Sequence, residues 1–334
     1  MSLLRLSVGI EAVDDLVGDL LNDLALVLHD QARLEEAEAL YRRSLAIARE
    51  VHGGTHPAVA STLNNLAVLL HDQGDLAGAE ELHRRSLDLR RRLYGDRHPA
   101  VALAAYNVAR LAHKQGRLDE AEALYREALS TSRDVLGAHR YTTYPLRHLA
   151  RLRAERGDPA EAETLLRECL EIQAQIEGPE SAAVASLLGD LAEVLEDQGR
   201  LEAAAAAYRR SIELIRRQPE SADGWAATSE VRLARVLLRQ GDGPGAEQRV
   251  LHALPRLRSL LPGTELEQRF QYWQSMVAEA ESVLWAVRLR RGEPEARARL
   301  QRSLEVLRAA ASADDRAIFF LRAELAGGGS ENGR

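Results

Sequence analysis

At 334 residues the chain is long enough for two domains of ordinary size. It is 46% apolar, 28% charged and only 4% aromatic, so its core must be packed from small and medium side chains. A net charge of −7 without any basic block argues against nucleic acid, a single cysteine excludes an internal disulfide, and no run of eighteen uncharged apolar residues exists to span a membrane.

In chain order, residues 1–15 are expected to form a degenerate N-terminal cap. A repeat then sets in. The segments starting at Gln31, Gln73, Gln115, Arg156, Gln198 and Gln240 follow one another at intervals of 42, 42, 41, 42 and 42 residues, and Arg291 comes 51 residues later. Most have glycine in second place, and each separates two runs of helical periodicity. Each is therefore the tight turn of a helical hairpin, with glycine supplying the left-handed residue that ends the first helix. In the second hairpin the first helix is expected over 58–73 and the second over 76–94, with Pro57 in the opening turn. Six such hairpins fill residues 16–260. An enlarged seventh occupies 261–312 and holds Phe270, Tyr272, Trp273 and Trp285. A capping helix is expected over 313–326 and a disordered tail over 327–334.

Packing follows from the register. Leu24, Leu66, Val108, Leu149, Leu191 and Leu233 share one position, and an alanine follows each. Past the turn, Ala37, Ala79, Ala121, Ala162, Ala204 and Ala246 let the second helix approach the first. Cys169 stands where other hairpins carry Ser44, Ser86, Ala128, Ser211 and Ala253, which marks it as a packing residue.

The run Leu34-Glu-Glu-Ala-Glu-Ala-Leu-Tyr-Arg-Arg-Ser-Leu and its copies resemble the second helix of the tetratricopeptide repeat. The 42-residue spacing and the segment from Gly54 to Ala67 are most similar to the variant found in kinesin light chains. The resemblance covers residues 16–260 strongly and the rest weakly. It departs at His83, Leu166 and Val250, which replace the aromatic residue held by Tyr41, Tyr125 and Tyr208. It implies an all-α fold, an α-solenoid of stacked antiparallel hairpins in a superhelix, with six to seven repeats plus capping helices. It further implies that the first helices line a concave groove.

On that orientation Asp23, Asn65, Asn107, His148, Asp190 and Arg232 occupy one groove position. Three and seven residues further come Arg110, Arg151 and Glu193, then Lys114, Glu155 and Asp197, all on one helical face. Asn64, Asn65 and Asn107 are expected to grip a peptide backbone, since an amide both donates and accepts. Arg110, Lys114, Arg147, His148 and Arg151 make the third and fourth hairpins basic, whereas Asp190, Glu193, Glu196 and Asp197 make the fifth acidic. The expected activity is a cytoplasmic interaction scaffold that holds a protein or peptide with acidic side chains across the second to fourth hairpins. No cofactor, metal, nucleic acid or membrane partner is expected.

Other readings stand beside it. Groove arginines also suit pairing with carboxylates of neighbouring helices. His29, His71 and His113 recur at one position, but repeat duplication accounts for their register and no HExxH motif accompanies them. His52, His56 and His98 read as inherited linker chemistry. A peptide-sensing solenoid that controls an effector in trans is an alternative function. An enzyme with its chemistry in 262–291, tested at Trp273 or Glu281, is a third.

Overall fold

Glycine, proline and short polar residues cut the chain into helices of repeating length. The computed structural model describes residues 2–218, 223–261, 267–310 and 315–327, and these contain fifteen helices and no strand. They fall into two compact units, Met1–Arg156 and Gly157–Arg334.

The first unit contains α1 (Ser2–Asp30), α2 (Leu34–His52), α3 (Pro57–Asp72), α4 (Leu76–Tyr94), α5 (Pro99–Lys114), α6 (Leu118–Leu136) and α7 (Arg140–Glu155). The first helix of a hairpin is 16 residues long in α3, α5 and α7, and the second is 19 in α2, α4 and α6. The helix expected over 58–73 begins and ends one residue earlier. Helix α1 runs unbroken through the segment expected as a separate cap.

The second unit contains α8 (Pro159–Glu177), α9 (Ala182–Asp197), α10 (Leu201–Arg216), α11 (Asp223–Arg239), α12 (Gly243–Ser259), α13 (Glu267–Arg290), α14 (Ala296–Ala309) and α15 (Asp315–Gly327). The expected start of the enlarged hairpin, 262–266, the start of the expected capping helix, 313–314, and the tail residues 328–334 lie outside the described residues, as does the side chain of Phe270.

Gly74, Gly116, Gly157, Gly199, Gly241 and Gly292 all take positive φ in the hairpin turns. There the backbone donates back to the helix end, as from Asp75 N to Leu70 O at 2.9 Å, so a residue with a β-carbon is disfavoured. The first turn has Ala32 instead, at φ 60°, among the described residues the only non-glycine with positive φ. The first three linkers between hairpins end in histidine caps. His56, His98 and His139 each accept, through Nδ1, a backbone N–H of the helix that follows, at 3.3, 3.1 and 3.2 Å. His56 stacks on His52 and His98 on Tyr94.

Within each unit the core lies between the paired helices of a hairpin and between successive hairpins. Tyr41 and Tyr125 are fully buried, the alanines following the turn are sealed, and Ala25, Leu28, Leu66, Leu69 and Leu111 join one apolar cluster. Leu24 is 49% exposed, whereas its equivalents Leu66, Val108 and Leu149 are at most 3% exposed, because each of the latter is covered by the preceding hairpin. Cys169 is buried with its register partners, and in the same position Ser86 and Ser211 donate to Ala60 O and Ala185 O at 2.7 Å.

Candidate functional site

In the first unit the first helices α1, α3, α5 and α7 follow one another, and each groove position meets the position before it on the preceding helix. Asn65 Nδ2 donates to Asn22 Oδ1 at 3.2 Å, and Asn107 Nδ2 donates to Asn64 Oδ1 at 2.8 Å. At the next step the same register sets the His148 ring edge-on to Tyr106, with centroids 5.3 Å apart. Asn107 is buried, and Asn64 and Asn65 are partly buried. Their amides thus hold neighbouring helices in register before any ligand arrives.

Two turns further the rule repeats with ionisable groups. His29 Nε2 lies 2.9 Å from Asp72 Oδ2, Lys114 Nζ lies 3.2 Å from His71 Nε2, and His113 Nε2 lies 2.7 Å from Glu155 Oε2. Arg151 Nε also donates to Glu155, at 3.0 Å, while its side chain stays 74% exposed. Hydrogen bonds from His113, and secondarily from Arg151, hold the Glu155 carboxyl below the usual carboxylate range against the opposing effect of burial. The recurring histidines are therefore struts between hairpins. Among the described residues no group of three or more His, Cys, Asp or Glu side chains is placed to hold a metal ion.

Between α5, α6 and α7 the expected basic residues surround an aromatic cluster. His148 stacks on Tyr125 at 5.7 Å, Tyr106 stacks on Tyr144 at 5.8 Å, and Tyr106 lies 6.1 Å from Tyr125. The Arg110 guanidinium sits 5.8 Å from the Tyr106 ring centre, within cation–π range. Burial, reinforced by the charges of Arg110, Arg147 and Arg151, pushes the His148 imidazole down to about 3. Burial, with Arg110 as the leading charge, pushes His83 down to about 4. At neutral pH both rings are uncharged, and the arginine charges acting on His148 are those of Arg110, Arg147 and Arg151. Tyr144 of this cluster is 40% exposed.

Of the residues expected to form the site, Asn107, Arg110, Arg147, His148 and Arg151 are gathered on α5 and α7, whereas Lys114 on α5 turns to His71 of α3, and Asn64 and Asn65 belong to the adjoining seam on α3. Tyr106 and Tyr144 were missed. Their signal was present, since Tyr106 replaces Asn22 and Asn64 at the position opposed by the next helix, and Tyr144 precedes His148 by one helical turn.

The second unit treats the same positions differently. Arg235 is fully buried and binds Glu196 Oε2 at 3.0 Å and Glu279 Oε1 at 2.6 Å, Arg239 adds a bond to Glu196 at 2.9 Å, and Arg232 pairs with Glu193. Burial alone would raise the Glu196 carboxyl, but Arg235 and Arg239 hold it below its usual range. Here the pairing of groove arginines with neighbouring carboxylates is the observed state. In the enlarged hairpin, Trp273 packs on Trp225 and Tyr272, Trp285 lies under Arg288 and Arg299, and Glu281 pairs with Arg258 at 2.6 Å.

No helix among the described residues is long and apolar enough to cross a membrane. Residues 16–90, 59–134 and 141–217 match a family model described as tetratricopeptide repeat, and residues 229–251 match a second model of that description. Among curated proteins no sequence matches. Among solved structures the chain is similar to BtubC (BKLC) from P. vanneervenii, at 24% identity and a TM-score of 0.61, over 70% of this chain and 93% of that one. A putative kinesin light chain from Podosopora anserina, with nearly identical TPR-like repeats, matches at 20% identity and a TM-score of 0.53, over 62% of this chain and 99% of that one. The apo form of RapI matches at 13% identity and a TM-score of 0.60, over 85% of this chain and 99% of that one. At these identities the likeness carries the all-α solenoid of helical hairpins.

Proposed function

Because the chain belongs to the tetratricopeptide repeat family, we propose that it is an interaction scaffold whose first unit holds an acidic peptide or protein segment on the α5–α7 face. The observation that carries this reading is the convergence of Arg110, Arg147 and Arg151 around the Tyr106–Tyr144–His148 rings, with Lys114 one turn further along α5. Cations placed beside aromatic faces and a neutral imidazole make a surface that attracts carboxylates and also gives them something to pack on. The asparagines act one step back in this reading, by fixing the spacing of α1, α3 and α5.

The test is fluorescence anisotropy with one amphipathic peptide scaffold made in acidic and neutral versions. The acidic peptide binds the wild type, and its affinity falls as salt is raised. Replacing Arg110, Lys114 and Arg151 together by alanine weakens it at least tenfold with helicity by circular dichroism unchanged. Equal binding of the acidic and neutral peptides, or of wild type and variant, rejects the reading.

A further inference from the structure

In the second unit a groove position is filled by the chain itself. Glu193 and Asp197 on α9 stand in the register of Arg110 and Lys114 on α5. Arg316, in the first turn of α15, reaches both of them. Its Nε and Nη2 donate to the two oxygens of Asp197, each at 2.7 Å, and its Nη1 donates to Glu193 Oε2 at 3.3 Å. The two-pronged contact with Asp197 is the geometry in which arginine recognises a carboxylate specifically. The other end of α15 is tied to the last hairpin, with Arg290 bound to Glu324 at 2.5 and 3.0 Å and Arg297 donating to Leu325 O at 2.9 Å. Between these ties Ala317, Phe320 and Leu321 are buried. A 13-residue helix is about 20 Å long, enough to reach from α9 to the last hairpin.

We propose that the first-helix face of the second unit is a receptor for an amphipathic helix led by an arginine, and that α15 is its resident, displaceable occupant. The partner is a helix with the α15 pattern: arginine in the opening turn, then apolar residues one, four and five positions later. Three features make α15 an exchangeable ligand. It buries one narrow stripe while Phe319 on its other side is 75% exposed. Its leading ion pair is partly open to water, Arg316 at 27% and Asp197 at 30%. Besides its packing on α13 and α14, it is anchored by side-chain ties at its two ends. The proposal concerns α9 and α15 and does not require an acidic ligand on the first unit.

The experiment uses a fluorescein-labelled peptide of residues 313–327 as probe, titrated against the full chain and against a chain ending at residue 310. The shortened chain binds the probe at least tenfold more tightly than the full chain does, because α15 no longer competes. Glu193→Ala with Asp197→Ala in the shortened chain, or Arg316→Ala in the peptide, weakens binding at least tenfold. Failure of the shortened chain to bind, indifference to these changes, or collapse of its helix content overturns the proposal, since a displaceable helix cannot be required for the fold. Hydrogen exchange on the intact chain gives an independent reading. The α15 amides exchange at least tenfold faster than those of α13, and faster still in Arg316→Ala; exchange of α13, α14 and α15 as one block overturns it.

Discussion

Asn107 donates its side-chain amide to Asn64 Oδ1 at 2.8 Å, a bond between adjacent first helices of residues 43 apart in the chain. Asn65 repeats the contact with Asn22 one hairpin earlier. The pair is a seam between hairpins, so replacing Asn107 by alanine should cost about 1 kcal/mol, the net value of a partly buried hydrogen bond. Urea denaturation of Asn107→Ala, Asn64→Ala and the double variant checks this. The expected coupling is about 0.5–1 kcal/mol, and strictly additive effects would remove the seam.

Ala32 occupies the left-handed turn position that glycine fills in the later hairpins. An L-residue there carries a penalty of about 1–2 kcal/mol, partly offset by the greater freedom glycine has when unfolded. Ala32→Gly should therefore stabilise the first hairpin by about 0.5–1 kcal/mol. Thermal unfolding reports it, and a lowered midpoint would show that the strain is relieved elsewhere.

Arg235 is enclosed between Glu196 and Glu279, with all three side chains at most 2% exposed. Arg235→Met leaves two buried carboxylates facing each other, and removing one partner of such a group costs about 3–5 kcal/mol. Arg239→Ala, at a side chain 37% exposed, should cost far less. Equal costs for the two variants would contradict the network as drawn.

His83 and His148 stay neutral in the folded chain down to about 4 and about 3, whereas in the unfolded chain they protonate near 6.5. The unfolded state thus binds the extra protons as pH falls. The stability these histidines contribute is complete above about pH 6.5 and is lost progressively below it, by at most about 1.4 kcal/mol per pH unit for each. His83→Tyr, which restores the aromatic residue of Tyr41 and Tyr125, should flatten the pH dependence of unfolding between about pH 4 and 6.5. An unchanged slope would place His83 in water.

The helices of the second hairpin, the hairpin turns and the core positions were legible from the residues, because glycine and proline act locally and the repeat carries each position to the next hairpin, whereas the unbroken α1 was not. The seam was half legible. The register made Asn65 and Asn107 equivalent, but their partners sit one position earlier on the preceding helix, an offset set by the sideways stagger of packed helices. The caps His56 and His98 read from sequence as inherited linker residues, and His139 drew no reading, since imidazole is not among the usual capping side chains. The return of Arg316 to Asp197, over 119 residues, has no local signal at all. It depends on where the last hairpin directs the chain.

The most direct measurement reverses charge on the α5–α7 face. Arg110→Glu, Lys114→Glu and Arg151→Glu are combined in one variant, and matched acidic and basic peptides are titrated against it and the wild type. The wild type should prefer the acidic peptide at least tenfold and the variant the basic one. A variant that keeps the wild-type preference, with its helicity intact, would contradict ligand recognition by these three side chains.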